Sequence, residues 1–329
     1  MDRWSGILKI PLYPNSRNFY RVAASICFST SSKRLSVPYG NVIFFNGDRV
    51  EGTGNPVIER LSDPQKIVEI LVSKFEGSVN AYVIEAPVFN GPFAVYKDFI
   101  PSVNENGEPK VYDATGFPAS TSLVLLLSKF LKEAKQVILG KQKEPYQAEV
   151  TPSFSCEPRT AVLGFSKGGT ILNQLVTELA FAEVQHTECP SQGNKNVMNG
   201  GGLATREEDI IVPTSKDRLL NSITEIHYVD VGLNSKGAYL TDRDVIDKIS
   251  ERLAHGASGI RFVFHGTPRQ WGDSRRMWVR NEKDALVRLL KTAAHRNMGK
   301  LYIRERSYFN GTPANLQMHF EIIEHLDVS

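Results

Sequence analysis

A short strand, a serine between two glycines and a helix follow one another in the middle of the chain. The apolar stretch 160–163 leads into Gly-Phe-Ser-Lys-Gly at 164–168, with Ser166 at its centre, and a helical pattern begins at Thr170. In this order the motif predicts a nucleophile elbow, a sharp turn that lifts the serine above a sheet. Glycine suits the outer positions of the motif because such a turn nearly touches itself. The competing interpretation is a glycine-rich turn with an unreactive serine.

Strand-like and helix-like stretches alternate along the chain from residue 41. The predicted strands, each a short apolar run, lie at 42–45, 81–86, 160–163, 223–229, 260–264 and 301–304. The predicted helices, between those strands, lie at 63–75, 121–137, 170–180, 242–253 and 281–294. This alternation predicts a mostly parallel, doubly wound sheet covered on both faces. With the elbow, it predicts an α/β-hydrolase-like fold in a single domain over residues 1–329.

Composition excludes several classes of protein. No run of about 18 apolar residues occurs, so no transmembrane segment is expected. The net charge is +3, and lysines and arginines are scattered among acidic residues, so a nucleic-acid partner is not indicated. The cysteines, Cys27, Cys156 and Cys189, lie far apart, which argues against a disulfide framework and against a zinc site.

The first 36 residues support two interpretations. Asp2 is the only acidic residue before Asp48, and arginine, lysine and serine are frequent, as in a mitochondrial transit peptide. The stretches 6–12 and 20–28 nevertheless resemble two strands at the edge of a sheet. We expect a folded strand hairpin, and we predict a mitochondrial location with the cytoplasm as the alternative. The residues that the hairpin would bury are Ile7, Leu8, Ile10, Val22, Ala24 and Ile26.

Two long connections interrupt the alternation. Residues 183–222 are rich in glycine and polar residues and are predicted to form a mobile insertion between the elbow helix and the next strand, rather than a packed cap. Residues 87–118 mix turn residues with aromatic ones and are predicted to form an ordered wall over the pocket. The aromatic residues of this second connection are Phe89, Phe93, Tyr96 and Phe99.

A serine hydrolase of this fold needs an acid and then a histidine after the serine in the chain. His319 follows the last predicted strand and is expected in a loop at its carboxyl end, with His325 as its rival. Asp273, in the loop after the strand at 260–264, is the favoured acid. Asp230, at the end of the strand at 223–229, is the alternative acid.

The oxyanion of an acyl-transfer intermediate would be bound by main-chain N–H groups. The N–H of Lys167 is one candidate because it lies at a helix N-terminus. The N–H of Gly47 or Asp48, after the strand at 42–45, is the second candidate. A carboxylate facing an oxyanion is unfavourable, so the Asp48 side chain is expected to point away or to pair with Arg49 or Lys167.

The chain resembles an uncharacterised eukaryotic family of α/β-hydrolase-like proteins. Its human member is named only as an open reading frame on chromosome two, and this chain looks like a plant member. The motifs that carry the resemblance are Asn-Gly-Asp at 46–48, Gly-Phe-Ser-Lys-Gly at 164–168, Leu-Asn-Gln-Leu at 172–175, Tyr-Val-Asp at 228–230, Thr-Pro-Arg-Gln at 267–270 and His-Phe at 319–320. The resemblance implies the fold, the triad and, from the animal members, a mitochondrial location. It implies no substrate, and residues 183–222 and the N-terminus depart from the animal pattern.

These features predict a serine hydrolase that cleaves an ester, thioester or related acyl bond of a small molecule or lipid. Ser166 would be the nucleophile, His319 the base and Asp273 the acid. No metal or organic cofactor is required for this chemistry. The alternative is a non-catalytic protein that uses a hydrolase-like fold to bind or regulate a partner, since a fold does not fix a function.

Overall fold

A computed structural model describes residues 2–31, 34–140, 158–184, 211–297 and 299–329. Among these residues, nine strands form the central sheet. Their bounds are β1 Asp2–Pro11, β2 Phe19–Ser29, β3 Arg34–Leu35, β4 Gly40–Phe45, β5 Val79–Glu85, β8 Arg159–Phe165, β9 Ile223–Val229, β10 Ile260–Gly266 and β11 Leu301–Ser307. A separate hairpin consists of β6 Val88–Asn90 and β7 Phe93–Val95.

The strands lie in the order β1-β2-β5-β4-β8-β9-β10-β11, and β3 pairs with β2. From β5 to β11 every neighbouring pair is parallel. Strand β2 is antiparallel to both β1 and β5. This order, with an antiparallel second strand and a serine turn after β8, is that of an α/β-hydrolase. The predicted fold class is therefore confirmed.

The described helices are numbered in chain order, and side-chain caps mark the start of five of them. Asn55, Asp63, Ser215, Asp242 and Asn315 each accept a main-chain N–H with the side chain at a helix start. The bounds are α1 Pro56–Leu61, α2 Pro64–Lys74, α3 Pro118–Leu139, α4 Gly169–Phe181, α5 Lys216–Ser222, α6 Arg243–Ala254, α7 Pro268–Trp271, α8 Met277–Arg296 and α9 Leu316–His325. Within the described ranges, no helix has the length and apolar content needed to cross a membrane.

The helices bury both faces of the sheet. Along β4, Ile43 and Phe45 face one apolar cluster, while Val42 and Phe44 face the other, as the alternation of a strand requires. The first cluster includes buried residues of α3, α4, α5, α6 and α8. The second includes those of α1, α2 and α9. Elements from far apart in the chain thus meet across the sheet, and α9 comes to lie over the strands that end near Ser166.

The predicted N-terminal hairpin is confirmed, since β1 and β2 pair along their whole lengths and β2 pairs with β5. Ile10 is fully buried in it. Trp4 packs edge-on against Phe130 of α3, with 6.1 Å between the ring centroids. Val22, Ala24 and Ile26 are buried as predicted, Leu8 is only partly buried, and the prediction was wrong for Ile7, which is 36% exposed on the edge strand.

The two long connections differ from each other. In residues 87–118, Phe99 and Tyr96 are buried against Phe45, so this segment is ordered and packed as predicted. For the predicted mobile insertion at 183–222, residues 185–210 lie outside the described residues. The prediction of a mobile insertion is wrong for residues 211–222, which are packed against the rest of the protein and include α5. Ile211 is buried, and its carbonyl accepts a hydrogen bond from Asn41 Nδ2 at 3.0 Å.

Candidate active site

Ser166 lies directly after β8 and has φ = 53°, which lies in the left-handed region that a serine rarely adopts. A single 3₁₀ turn, Ser166–Gly168, follows and runs into α4. This strained turn from a strand into a helix is the nucleophile elbow that the motif predicts. Strain of this kind persists where the surroundings hold the residue, and it is concentrated at functional sites.

Close backbone contacts explain both glycines of the motif. A Cβ on Gly164 would lie 2.6 Å from the Cα of Gly169, and one on Gly168 would lie 2.2 Å from the carbonyl oxygen of Phe45. Both distances are far below van der Waals contact, and both involve backbone that cannot rotate away. The elbow is therefore pressed against the end of β4, which brings the loop after β4 to the serine.

That loop supplies a free main-chain donor beside Ser166. A Cβ on Gly47 would lie 2.6 Å from the Cβ of Ser166, so the loop touches the serine directly. The N–H of Gly47 donates to Asn46 Oδ1 at 3.0 Å. The N–H of Asp48 has no hydrogen-bond partner among the described residues. Of the two alternatives, Asp48 therefore has the available donor, together with the N–H of Lys167 in the first turn after the serine.

The carboxylate of Asp48 is paired with Lys167, as one of the two sequence alternatives expects. Lys167 Nζ lies 2.8 Å from Asp48 Oδ1 and also donates to the carbonyl of Asn106 at 2.8 Å. The lysine side chain is 4% exposed and lies over the ring of Phe93. A buried cation of this kind is tolerated because it is paired and hydrogen-bonded. It ties the elbow to the wall segment 87–118.

His319 lies in the first turn of α9, not in the loop that the sequence predicts. The Asn315 side chain caps this helix by accepting the N–H of Met318 at 2.8 Å. His319 Nδ1 lies 2.7 Å from Asp230 Oδ2, and the ring packs on Phe165 with 4.6 Å between centroids. A carboxylate can only accept, so Nδ1–H is the donor, and in the neutral ring this tautomer leaves the lone pair on Nε2. Elsewhere on the same helix, the rival His325 is exposed.

Asp230 is fully buried at the end of β9 and has φ = 44°. Its Oδ1 accepts the N–H of Thr267 at 2.7 Å, and its Oδ2 accepts the Thr267 hydroxyl at 2.9 Å as well as His319 Nδ1. Donors from the end of β10 thus fix the carboxylate in the orientation that holds the histidine. These hydrogen bonds satisfy both oxygens of a fully buried carboxyl group.

The sequence-based preference for Asp273 as the partner of His319 is corrected by this geometry. Asp273 caps the 3₁₀ turn Ser274–Arg276 by accepting the N–H of Arg275 at 2.9 Å. Its other oxygen accepts Arg276 Nε at 2.9 Å. These hydrogen bonds hold the pKa of Asp273 below its usual value, with Arg276 as the largest cause. Asp273 is a local cap and ion-pair partner, and Asp230, the alternative acid, is the residue beside His319.

Ser166 and His319 share the wall of one cavity of about 220 Å³. Asp48 and Lys167 also line it. Among the described residues, neither Ser166 Oγ nor His319 Nε2 has a hydrogen-bond partner. Hydrogen bonds between a nucleophile and its base are often long before substrate binds. The residues that carry an unpaired hydroxyl, an unpaired imidazole nitrogen and a free main-chain N–H, namely Ser166, His319 and Asp48, thus line the same cavity.

Sequence reasoning missed a buried polar cluster behind the elbow. Asn173 is fully buried; its Nδ2 donates to the Tyr112 hydroxyl at 3.0 Å and to the carbonyl of Ala238 at 3.1 Å, and its Oδ1 accepts the Tyr228 hydroxyl at 2.9 Å. Gln174 in turn bonds both main-chain groups of Asp113. The Leu-Asn-Gln-Leu motif thus joins α4 to two loops. Polar residues at buried positions of a helix that is otherwise apolar are the signal that could have revealed it.

Replacing Asn173 by leucine should destabilise the protein strongly. The substitution keeps the number of side-chain heavy atoms but leaves the Tyr228 hydroxyl and the Ala238 carbonyl without their Asn173 partner, at a cost of about 2–4 kcal/mol. The Tyr112 hydroxyl keeps its hydrogen bond to the carbonyl of Gly237. Urea denaturation followed by circular dichroism measures this loss. Leu172→Met on the same helix is the matched control and should cost less than about 1.5 kcal/mol. Equal free energies of unfolding for the two variants would show that the cluster is not a structural anchor.

Two solved structures are similar to this one over most of the chain. EstA, a siderophore hydrolase from Aspergillus nidulans, is 13% identical, with a TM-score of 0.43 over 98% of this chain and 94% of its own. A putative carboxylesterase from Lactobacillus plantarum is 11% identical, with a TM-score of 0.41 over 94% of this chain and 88% of its own. Scores this low carry no inference about activity.

The sequence is similar to a protein of Danio rerio named mitochondrial protein C2orf69 homolog. The two are 23% identical over 293 residues, which cover 86% of this chain and 72% of the Danio protein. A model of the C2orf69 family matches residues 127–295, just over half of the chain and a range that includes both Ser166 and Asp230. The chain therefore belongs to the C2orf69 family.

Proposed function

We propose that the protein is a serine hydrolase that cleaves an acyl bond through an acyl-serine intermediate. The observation that carries the proposal is the 2.7 Å contact between His319 Nδ1 and the buried carboxylate of Asp230, on the cavity that the strained Ser166 also lines. The nucleophile Ser166, the acid Asp230 and the histidine His319 follow one another along the chain in the order found in α/β-hydrolases. The strain at Ser166 and the burial of Asp230 both cost stability, and such costs are concentrated at functional sites.

In the proposed reaction, Ser166 Oγ attacks the acyl carbonyl carbon and its proton passes to His319 Nε2. Asp230 stabilises the imidazolium and holds the ring in the required tautomer. The main-chain N–H groups of Lys167 and Asp48 bind the oxyanion. His319 then protonates the leaving oxygen or sulfur as the acyl–heteroatom bond breaks. A water molecule, deprotonated by the same histidine, cleaves the acyl-serine and regenerates the hydroxyl.

A second candidate function is a non-catalytic hydrolase-like module that binds a partner. The observation that favours it is the absence of a hydrogen bond between Ser166 and His319 among the described residues. The two proposals differ in what Ser166→Ala removes, because only the hydrolase depends on the serine hydroxyl for turnover.

The assignment of the acid can be tested with three variants and a 4-nitrophenyl ester. Asp230→Asn should lower turnover by a factor on the order of 10⁴, because the histidine loses its tautomer and the stabilisation of its charge. Ser166→Ala should abolish turnover of the ester, because the nucleophile is lost. Asp273→Asn is the matched control and should remain near the wild-type rate, since among the described residues the Asp273 side chain accepts hydrogen bonds only from Arg275 and Arg276 of its own turn. Release of 4-nitrophenolate gives the rates, and circular dichroism verifies the folding of each variant.

Loss of activity in Asp273→Asn together with normal activity in Asp230→Asn would contradict the assignment. Wild-type turnover equal to that of Ser166→Ala would contradict the hydrolase and leave the non-catalytic module.

We further propose that the protein acts in mitochondria, because the similar Danio rerio protein is named a mitochondrial protein. The full chain with a fluorescent protein at its C-terminus should coincide with a mitochondrial marker. A diffuse cytosolic signal from this fusion would contradict the proposal and support the cytoplasmic alternative.

A further inference from the structure

The cavity beside Ser166 has a surplus of cationic side chains. Its basic lining residues are Arg49, Lys167, Arg269 and Arg276, and its acidic lining residue is Asp48. Lys167 pairs with Asp48, so this pair contributes no net charge. The remaining charge on the wall is that of the three arginines.

These arginines differ in how they are satisfied. Arg49 Nε lies 3.4 Å from Glu51 Oε1, and Arg49 Cζ lies 4.0 Å from the ring centroid of Phe89. Arg276 Nε donates a hydrogen bond to Asp273 Oδ2. Arg269 forms no hydrogen bond or ion pair with any described residue, and its Nε is buried without a partner. An unpaired buried donor on a cationic group is costly, and the cost falls when an acceptor binds.

The position of Arg269 links it to the reacting groups. It lies in α7, two residues after Thr267, which holds Asp230 through both its N–H and its hydroxyl. Burial and then the nearby Arg276 cation lower the pKa of Arg269, while Asp230 and Asp273 act in the opposite direction. A guanidinium remains protonated at neutral pH, so Arg269 presents a fixed positive charge at the cavity wall.

The next residue gives a second indication that this wall receives a polar group. Gln270 is 4% exposed and lines the cavity, and its buried Oε1 has no hydrogen-bond partner. An alkyl chain would leave both Arg269 Nε and Gln270 Oε1 unsatisfied. A carboxylate or phosphate oxygen would accept from the arginine, whereas Gln270 Oε1 is itself an acceptor and would need a donor, such as a hydroxyl of the same group or a water molecule. The planar guanidinium matches the oxygens of a carboxylate or a phosphate.

We infer that Arg269, with Arg276 beside it, binds an anionic group of the substrate, a carboxylate or a phosphate, while Ser166 attacks an acyl carbon of the same molecule. The inference rests on the proposed hydrolase activity because it names the substrate class of that site. It gives the Thr-Pro-Arg-Gln motif two roles: Thr267 positions the acid and Arg269 selects the substrate.

Two matched esters test this selection. Mono-4-nitrophenyl succinate carries a carboxylate on its acyl part, and 4-nitrophenyl butyrate is its neutral counterpart of equal chain length. The ratio of kcat/KM for the anionic over the neutral ester should fall about ten- to hundredfold in Arg269→Gln, as expected for the loss of a charged hydrogen bond. Arg269→Lys should retain part of the ratio. Arg288→Gln, an exposed arginine on α8, is the control and should retain all of it.

Binding to the Ser166→Ala variant separates this inference from the hydrolase proposal. Isothermal titration with succinate and with inorganic phosphate should give saturable binding of at least one of them, lost in Ser166→Ala/Arg269→Gln, and the probe that binds identifies the preferred anion. If neither ester is turned over but an anion binds through Arg269, the anion site stands and the hydrolase proposal fails. If the ester ratio is unchanged in Arg269→Gln, or if neither anion binds, the inference is overturned.

Discussion

The elbow after β8 and the end of β4 are pressed together so closely that no side chain fits between them. A Cβ at Gly168 would lie 2.2 Å from the Phe45 carbonyl, and one at Gly47 would lie 2.6 Å from the Cβ of Ser166. This contact holds Ser166 at φ = 53° and brings the loop that carries the free N–H of Asp48 against the serine. The neighbouring parallel strands β8, β9 and β10 then bring Asp230 and Thr267 to the same edge of the sheet. The candidate site is thus a consequence of strand order and one backbone contact.

Buried polar groups hold the surrounding loops in place around this contact. Lys167 binds Asp48 and Asn106, Asn173 binds Tyr112 and Ala238, and Thr267 binds Asp230. Each of these interactions joins a rigid strand or helix to a loop at the cavity. Satisfied polar networks of this kind specify one arrangement, because breaking any member leaves a buried group unpaired. Arg269 and Gln270 are exceptions at the cavity wall, since Arg269 Nε and Gln270 Oε1 are buried without partners, and the unpaired arginine underlies our inference about the substrate.

The sequence predicts the sheet, the elbow and the N-terminal strand pair, because these depend on local patterns of apolar residues and glycine. It does not distinguish Asp230 from Asp273, since both follow strands that end at the same edge. The two residues differ in that Asp230 has a positive φ and Asp273 accepts a hydrogen bond from Arg276. A pattern of apolar residues in the sequence reveals neither property. For residues 211–222, the glycine and polar residues of the preceding stretch lead to the prediction of a mobile insertion. The packing of residues 211–222 depends on Asn41, which is distant in the chain. The sequence predicts a loop at His319, whereas the cap at Asn315 starts a helix before this residue.

The proposed hydrolase requires Ser166 to be an activated nucleophile. Treatment of the folded protein with a fluorophosphonate probe, followed by peptide mass spectrometry, tests this requirement. We expect one adduct, on the peptide that contains Ser166, formed by the native protein and not by the heat-denatured protein. An unlabelled native protein, or an adduct on a different residue, would contradict it.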